Sequence, residues 1–444
     1  MFETLKNAFK VKEIRVKIWW TLFFLLLYRL GCYIPVPGVG STLIGEQALQ
    51  DLSYLNIMSM MTGGSLQQGT WFAMGISPYI NASIIIQLLT VAIPALERMS
   101  KAGEDGRRKI NSITRYIAIA LAVVQSIGIL LSYGDMLWDP TLVTDATPLA
   151  VLLGNQKWLA YVVAVVFYAS GTAVTIWIGE RITDYGVSNG ISILIFIGII
   201  SSAGNYFLGT IQTIADPATS ATTALTQFWG LVGYLVAIIV IFGCIVFVDL
   251  AERKIHVQYA KQVKGRKMYG GQSTVIPIKV NANGVMPLIF SFSILSFPEL
   301  LMSMFGWSEA QAWWQRYLGT SSWLYPIVLC LLILGFAYFY TTLQFNPEDI
   351  ARSIQQNGGF IPGIRPGAPT LAHLKKISSR ITLFGAIFLA LVALVPSLIF
   401  TAISEGGAGV FTATGMLIAV SVGLEFNTAL ESQIMMKNYK GFLK

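Results

Sequence analysis

A loop of unusual composition carries a single guanidinium group. It reads NGGFIPGIRPG, from Asn357 to Gly367, and contains two prolines and four glycines around Arg365. Proline fixes φ and glycine tolerates positive φ, so such a loop can hold one particular shape. A guanidinium on a constrained backbone makes directional, two-pronged hydrogen bonds to carboxylate or phosphate groups. The pattern predicts that Arg365 docks an acidic partner; simple positive charge at a membrane surface is the alternative.

A second group of cations precedes this loop, in the stretch YAKQVKGRKMYGG. The stretch belongs to a connection from 249 to 279, which is long for a loop between membrane helices. Alternating β-branched residues around it predict a protruding hairpin with a basic tip. The docking residues predicted at this tip are Lys261, Lys264, Arg266 and Lys267.

The sequence lacks the motifs needed for catalysis or for a cofactor. It contains no GxxxxGK phosphate loop and no HExxH zinc motif. The three cysteines lack CxxC spacing, and both histidines lie in charged loops. We therefore predict no enzyme activity, no metal and no cofactor. Acidic residues lie near the ends of the apolar segments, which disfavours an ion-coupled pump. A secondary transporter of small solutes and a non-conducting scaffold for membrane assembly remain the alternatives.

Composition and hydropathy predict an all-α polytopic membrane protein. Of the 444 residues, 55% are hydrophobic and only 12% are charged, whereas a soluble domain has about 25% charged residues. A bilayer core needs about 20 apolar residues per helix. Ten segments are predicted to span the membrane: 18–35, 72–95, 113–133, 158–178, 190–208, 228–248, 284–304, 323–343, 382–402 and 408–427.

Lysine and arginine set the predicted orientation. All but three of the 30 basic residues fall in alternate loops or termini of the ten-span arrangement. The positive-inside rule then places both termini in the cytoplasm. The exceptions are Lys157, Arg316 and Arg29. Because Arg29 lies inside the first span near its end, we interpret it as snorkelling to the membrane interface.

One apolar stretch is too short to cross a bilayer. It runs from Ser53 to Met61 and is broken by Gly63 and Gly64, and a full-length helix is predicted to begin near Trp71. A half-inserted segment needs shelter from protein or from a water-filled cavity. The stretch is predicted to be re-entrant, with an amphipathic helix on the outer surface as the alternative.

Several long strings resemble, in the same order, the SecY family of bacterial protein-export channels. The strings run from the first span to the last: RLGCYIPVPG, FAMGISPYINASIIIQLLT, EDGRRKINSITRY, GERITDYGVSNGISILIF, YAKQVKGRKMYGGQST, NGVMPLIF and GGFIPGIRPG. The resemblance implies ten transmembrane helices in two pseudo-symmetric five-helix halves, with a re-entrant plug. The corresponding boundaries are a cytosolic basic N-terminus at 1–17, halves at 18–208 and 228–427, cytosolic loops at 249–279 and 346–380, and a cytosolic tail at 428–444.

The resemblance also implies roles for individual residues. The pore ring would be formed by Ile76, Ile80, Ile191, Ile195, Ile289 and Ile418. Two isoleucine pairs in this ring, 76 with 80 and 191 with 195, have the four-residue spacing that shares a helix face. A plug at about 53–66 would include Ile57, Met58, Met60, Met61, Gly63 and Gly64. The lateral gate would set the helix at 72–95 against the helix at 284–304, with Asn81 and Gln87 opposite Phe297.

The implied function is passage of unfolded polypeptides across the bacterial plasma membrane and release of hydrophobic segments sideways into the lipid bilayer. The chain holds no energy source, so partners must supply the force. The implied partners are SecE, SecG, the SecA ATPase and the ribosome with its RNA. The basic tip and Arg365 would grip SecA or the ribosome.

Overall fold

The computed structural model describes residues 6, 8–36, 53–138, 157–215, 221–259, 262–264, 267–269, 273–281, 284–319, 322–403 and 413–441. In these ranges the helices are α1 (Lys12–Gly31), α2 (Ser53–Thr62), α3 (Ser77–Ala92), α4 (Pro94–Lys101), α5 (Glu104–Trp138), α6 (Lys157–Tyr185), α7 (Gly190–Ala215), α8 (Ala221–Asp249), α9 (Met286–Met304), α10 (Ser308–Leu318), α11 (Leu324–Gln344), α12 (Pro347–Gln356), α13 (Ala368–Ile403) and α14 (Ala413–Gly441). The strands are β1 (Glu252–Tyr259), β2 (Gln262–Lys264), β3 (Lys267–Tyr269), β4 (Ser273–Lys279) and β5 (Gly359–Phe360).

Long apolar helices dominate because a helix satisfies its own backbone hydrogen bonds, as the bilayer interior demands. Among the described residues, six helices are long and apolar enough to cross a membrane: α5, α6, α7, α8, α11 and α13. A seventh span is counted if α3 and α4, bent by 104° relative to each other, are taken together. The remaining three predicted spans overlap α1, α9 and α14. Every span predicted from the sequence therefore has a helix.

Several helices begin well before or after the start of the predicted span, among them α3 and α1. The helix predicted near Trp71 begins instead at Ser77, because Gly75 adopts a positive φ of 50° and Pro78 occupies the first helical turn. Before it, the Trp71 amide donates to the Ile34 carbonyl over 2.8 Å, which ties this turn to the end of α1. At the N-terminus, α1 already begins at Lys12, so the last part of the predicted surface segment 1–17 is continuous with the first span.

Short amphipathic helices lie between the spans and escape hydropathy analysis because of their polar residues. Helix α4 has no buried residue. Helix α12 starts at an N-cap, Asn346, whose side chain accepts a hydrogen bond from the Glu348 amide. Helix α10 carries Glu309 in its first turn and Arg316 in its last, matching the helix dipole.

The long connection at 249–279 forms the predicted hairpin. Strands β1 and β4 pair antiparallel from Glu252 with Lys279 to Gln258 with Ser273, and β2 pairs with β3 near the tip. Strand β5 adds to the free edge of β1, giving the order β4–β1–β5. The hairpin and the glycine-rich loop are thus parts of one sheet, although they are far apart in sequence.

The largest buried apolar cluster gathers one face from each of α1, α3, α6, α7, α8, α9, α11, α13 and α14. Its centre contains residues such as Leu194, Leu288 and Ile333, none of which is exposed. This core holds the residues that the sequence assigns to a pore.

Candidate functional site

The six isoleucines assigned to the pore ring meet in the central apolar cluster. Three of them, Ile76, Ile195 and Ile418, are buried, with 5 to 7% of their surface exposed. The other three are partly buried and pack against the same cluster. The ring residues come from the start of α3, the first turns of α7 and α9, and α14, so four separate helices bring them together.

A small, mainly apolar cavity lies between ring residues and the short helix α2, beside the contact that Met61 makes with the central cluster. Its volume is about 60 Å³. Its walls include Met60 and Met61 of α2, Ile80, Ile289 and Ile418. Serine and asparagine side chains of α3 and α9 also reach the cavity, so its lining is mainly but not entirely apolar. The two methionines have flexible, unbranched side chains that suit an irregular space.

Helix α2 is a buried re-entrant segment rather than an amphipathic helix on the outer surface. Met58 is 1% exposed, Met60 is 6% exposed and Thr62 is fully buried. The helix packs against α7 on one side and α9 on another. The alternative interpretation of this stretch is therefore wrong, because an outer-surface helix would expose one of its faces to water.

Backbone contact joins α2 to α7. A side-chain carbon at Gly198 of α7 would overlap the carbonyl oxygen of Met61, so only glycine permits this approach. One turn further along α7, the Ser202 hydroxyl donates to the Met60 carbonyl over 3.1 Å. Neither contact could be predicted from the sequence, because glycine and serine are common in membrane helices.

Helix α2 ends in a Schellman motif formed by the two glycines of the predicted break. The Gly63 amide donates to the Met60 carbonyl and the Gly64 amide donates to the Ser59 carbonyl, over 3.2 and 2.9 Å. Both glycines have positive φ, at 70° and 86°. The break is thus a defined helix cap, and substitution with any other residue would strain it.

A seam between α3, α9 and α11 corresponds to the predicted lateral gate. Ile84, Phe290 and Tyr340 form an apolar cluster across it. The Tyr340 hydroxyl donates to Gln87 Oε1 over 2.9 Å, so the side-chain hydrogen bond that Gln87 makes across the seam is with α11. Sequence reasoning placed Gln87 opposite Phe297 and did not single out Tyr340. Phe297 lies further along α9 and is 37% exposed.

Two further residues of the assigned gate and plug are Asn81 and Ile57. Asn81 lines the small cavity together with Ser77 and Ser296. Ile57 lies within α2, but its side chain is outside the described part of the structure.

The loop around Arg365 is held in place by a small core beneath it. Ile354 of α12, Ile361 of the loop and Val257 of β1 belong to this buried core. From the first turn of α13, the Thr370 hydroxyl donates to the Arg365 carbonyl over 2.8 Å. The Ile364 amide donates to the Ile361 carbonyl over 3.0 Å. The loop is therefore built onto the sheet rather than tethered only at its ends.

Arg365 itself is exposed at the rim of an open depression of about 700 Å³. Three glycines line the depression, Gly358, Gly359 and Gly363, together with larger residues of the same loop. Of these, Gly358 and Gly363 have positive φ, at 65° and 83°. In the part of the chain that the structure describes, no ion pair involves Arg365. An exposed, unpaired guanidinium beside a shaped concavity can bind a carboxylate or a phosphate of a partner.

The predicted basic tip is described only in part. Lys264 ends β2 and Lys267 begins β3, and the two face each other as partners in the β2–β3 pairing. Lys261 and Arg266 lie outside the described residues.

Comparison with known proteins identifies relatives of this architecture. A model of the SecY family matches residues 70–427. The chain is 39% identical over 450 residues to the protein translocase subunit SecY of Streptomyces coelicolor. It is 38% identical over 466 residues to the protein of the same name from Mycobacterium tuberculosis. In both comparisons the match covers 100% of each chain.

Solved structures share the fold at lower sequence identity. A structure described as a protein-conducting channel matches with a TM-score of 0.65 at 18% identity, covering 94% of this chain and 92% of the other. A Sec61 chain from a canine ribosome–channel complex matches with a TM-score of 0.59 at 17% identity, with the same coverage. These matches support the ten-helix fold and give no support to the alternative of a small-solute transporter. The chain belongs to the SecY family of protein translocase subunits.

Proposed function

We propose that the chain is a protein-conducting channel whose constriction is formed by Ile76, Ile80, Ile191, Ile195, Ile289 and Ile418. One observation carries this proposal: four separate helices bring these side chains into a single apolar cluster beside the cavity at α2. Branched aliphatic side chains contact any polypeptide without hydrogen-bond readout. A dry apolar constriction also resists the passage of ions.

Helix α2 serves as the plug of this channel, through Ile57, Met58, Met60, Met61, Gly63 and Gly64. It is short, its methionines border the cavity beside the ring, and the Ser202 hydroxyl of α7 donates to its Met60 carbonyl. Because α2 is too short to be a span itself, it can leave its site and return without breaking one. The Schellman cap keeps the α2 helix intact as it moves.

The seam between α3, α9 and α11 is the lateral gate. Apolar contacts of Ile84 with Phe290 and Tyr340 hold it closed, together with the hydrogen bond from Tyr340 to Gln87. Asn81 and Phe297 flank the seam from α3 and α9. When it opens, a hydrophobic segment in the pore gains roughly 25 cal/mol for each Å² of apolar surface transferred to lipid. Hydrophobicity would then decide whether a segment crosses the membrane or enters it.

Docking of the force-generating partner occurs at Arg365 and the tip residues Lys261, Lys264, Arg266 and Lys267. Support comes from the exposed, unpaired Arg365 on a loop that shares a sheet with the hairpin. The partners are the SecA ATPase or a ribosome, with SecE and SecG as companion subunits. One relative in structure comes from a ribosome–channel complex. Both termini lie in the cytoplasm and the channel resides in the bacterial plasma membrane, as the charge distribution predicts.

Reconstitution tests the proposal directly. The chain is placed in proteoliposomes with SecE, SecG, SecA, ATP and a labelled secretory precursor, and protection of the precursor from protease is measured. We expect ATP-dependent protection, and a variant lacking 57–65 should remain folded and show ion conductance without precursor. The absence of protection with all partners present would contradict the channel assignment. A folded deletion variant with no added conductance would contradict the plug assignment alone.

A further inference from the structure

Arg29 lies within the first span and is half-buried, with its guanidinium turned toward the C-terminal end of the short helix α2. Its Nη2 donates to the carbonyl of Ile197 in α7 over 3.1 Å. A side-chain carbon built on Gly63 would lie 2.8 Å from Nη1 and 3.0 Å from Nη2 of the same guanidinium. The guanidinium therefore lies directly against the backbone at the C-terminal end of α2.

This position has a clear electrostatic consequence. The C-terminus of a helix carries a partial negative charge, and a cation beside it is stabilising. The absence of a side chain at Gly63 lets the guanidinium approach that end closely. Within the described residues, no carboxylate forms an ion pair with Arg29. Its side-chain neighbours include the thiol of Cys32, the C-cap residue of α1, and the phenol of Tyr28.

A charge in a membrane span is costly unless polar groups compensate it. For Arg29, the compensating groups are the Ile197 carbonyl and the negative end of α2. If α2 moves away, the guanidinium loses one of these two partners. The position of α2 and the energy of the Arg29 charge are therefore coupled.

We propose that Arg29 is the electrostatic latch that holds the plug closed, by bridging the C-terminus of α2 to the backbone of α7. This inference rests on the plug assignment. Arg29 is a positioning residue: it sets how often the plug leaves its site and does not contact the transported polypeptide. A cation near a partly buried helix end contributes up to about 2 kcal/mol, which a force-generating partner can overcome.

The test compares three single variants in planar bilayers without precursor or motor. Arg29→Gln should raise the open fraction of the resting channel about tenfold, the factor that corresponds to about 1.4 kcal/mol. Arg29→Lys should raise it about threefold, because lysine keeps the charge but loses the fork that reaches both α2 and α7. Arg316→Gln removes an arginine from α10 and should leave the open fraction unchanged. Protein amount and thermal unfolding of each variant serve as folding controls.

A double variant separates the latch from a general structural role. In the background lacking 57–65, Arg29→Gln should add nothing to the conductance, because the group that it holds is absent. An equal increase in both backgrounds would show that Arg29 acts elsewhere and would overturn the proposal. The latch would be refuted if Arg29→Gln had the same open fraction as the parent protein while deletion of 57–65 raised it. That result would still support the plug assignment. If Arg29→Gln cannot be obtained as folded protein, an unchanged open fraction in Arg29→Lys would also refute the latch.

Discussion

Replacing Gly198 with alanine tests the docking of α2 with a single added carbon. At this position the new side chain would overlap the Met61 carbonyl oxygen, which belongs to the backbone of α2 and cannot rotate away. Either α2 must shift or α7 must bend. Gly204 lies on the same helix, and a side-chain carbon there would meet no atom within 4 Å. Gly204→Ala is therefore a matched control for the same change of residue type.

The expected magnitude follows from packing. Inserting a carbon into a tightly packed contact costs about 1–3 kcal/mol. Alanine also stabilises a helix by up to about 1 kcal/mol relative to glycine, but both variants share this gain. The difference between them isolates the clash, so Gly198→Ala should increase the displaced population of α2 by about five- to a hundredfold over Gly204→Ala.

Single-channel recording in the absence of precursor measures this displaced population as openings of the resting channel. We expect frequent openings in Gly198→Ala and the resting behaviour of the parent protein in Gly204→Ala. Removal of 57–65 should erase the difference between the two variants. Equal conductance of the two full-length variants, at equal amounts of folded protein, would show that α2 does not depend on Gly198 for its position.

Substitutions in three further regions test the ring, the docking loop and the gate. Changing Ile80 and Ile191 together to serine should increase ion leak during translocation, because a polar ring hydrates more readily; unchanged leak in single-channel recordings would exclude these residues from the constriction. Arg365→Glu should nearly abolish SecA-driven protection of precursor at normal protein amounts, whereas Arg365→Lys should retain part of it, since lysine keeps the charge without the fork. Transport at the parental rate by Arg365→Glu would show that the loop contributes only positive charge at the membrane surface. Tyr340→Phe removes the hydrogen bond to Gln87, worth about 1 kcal/mol, and should let weakly hydrophobic segments enter the bilayer more often; an unchanged insertion threshold would show that this bond does not hold the gate.

The ten spans could be predicted from sequence because the bilayer forces a helix wherever the chain crosses it. Boundaries were less predictable where turn chemistry intervened. The start of α3 moved to Ser77 because Gly75 and Pro78 act locally, against an apolar pattern that begins earlier. Helices α4, α10 and α12 have mixed polarity, so hydropathy alone does not reveal them.

The site was predictable at the level of residue types and resemblance, but its contacts were not. The glycine break after Met61 is visible in the sequence, yet its role as a Schellman cap depends on backbone hydrogen bonds. The pairing of β1 with β5 joins segments separated by about a hundred residues, and no local pattern encodes it. Arg29 looks like a snorkelling residue because its partners are backbone groups of α2 and α7, which have no side-chain signature.

These contacts explain how a channel can stay sealed and still open under a modest force. Around α2, the backbone contact at Gly198, the hydroxyl bond from Ser202 and the charge beside Gly63 add to ordinary side-chain packing, in which Met58 belongs to a second buried apolar cluster. The contact at Gly198 and the bond from Ser202 are short in range, so a small displacement of α2 weakens both at once. The position of α2 is therefore sensitive to small changes at these two residues of α7, which is why Gly198→Ala is the sharpest single test of the plug.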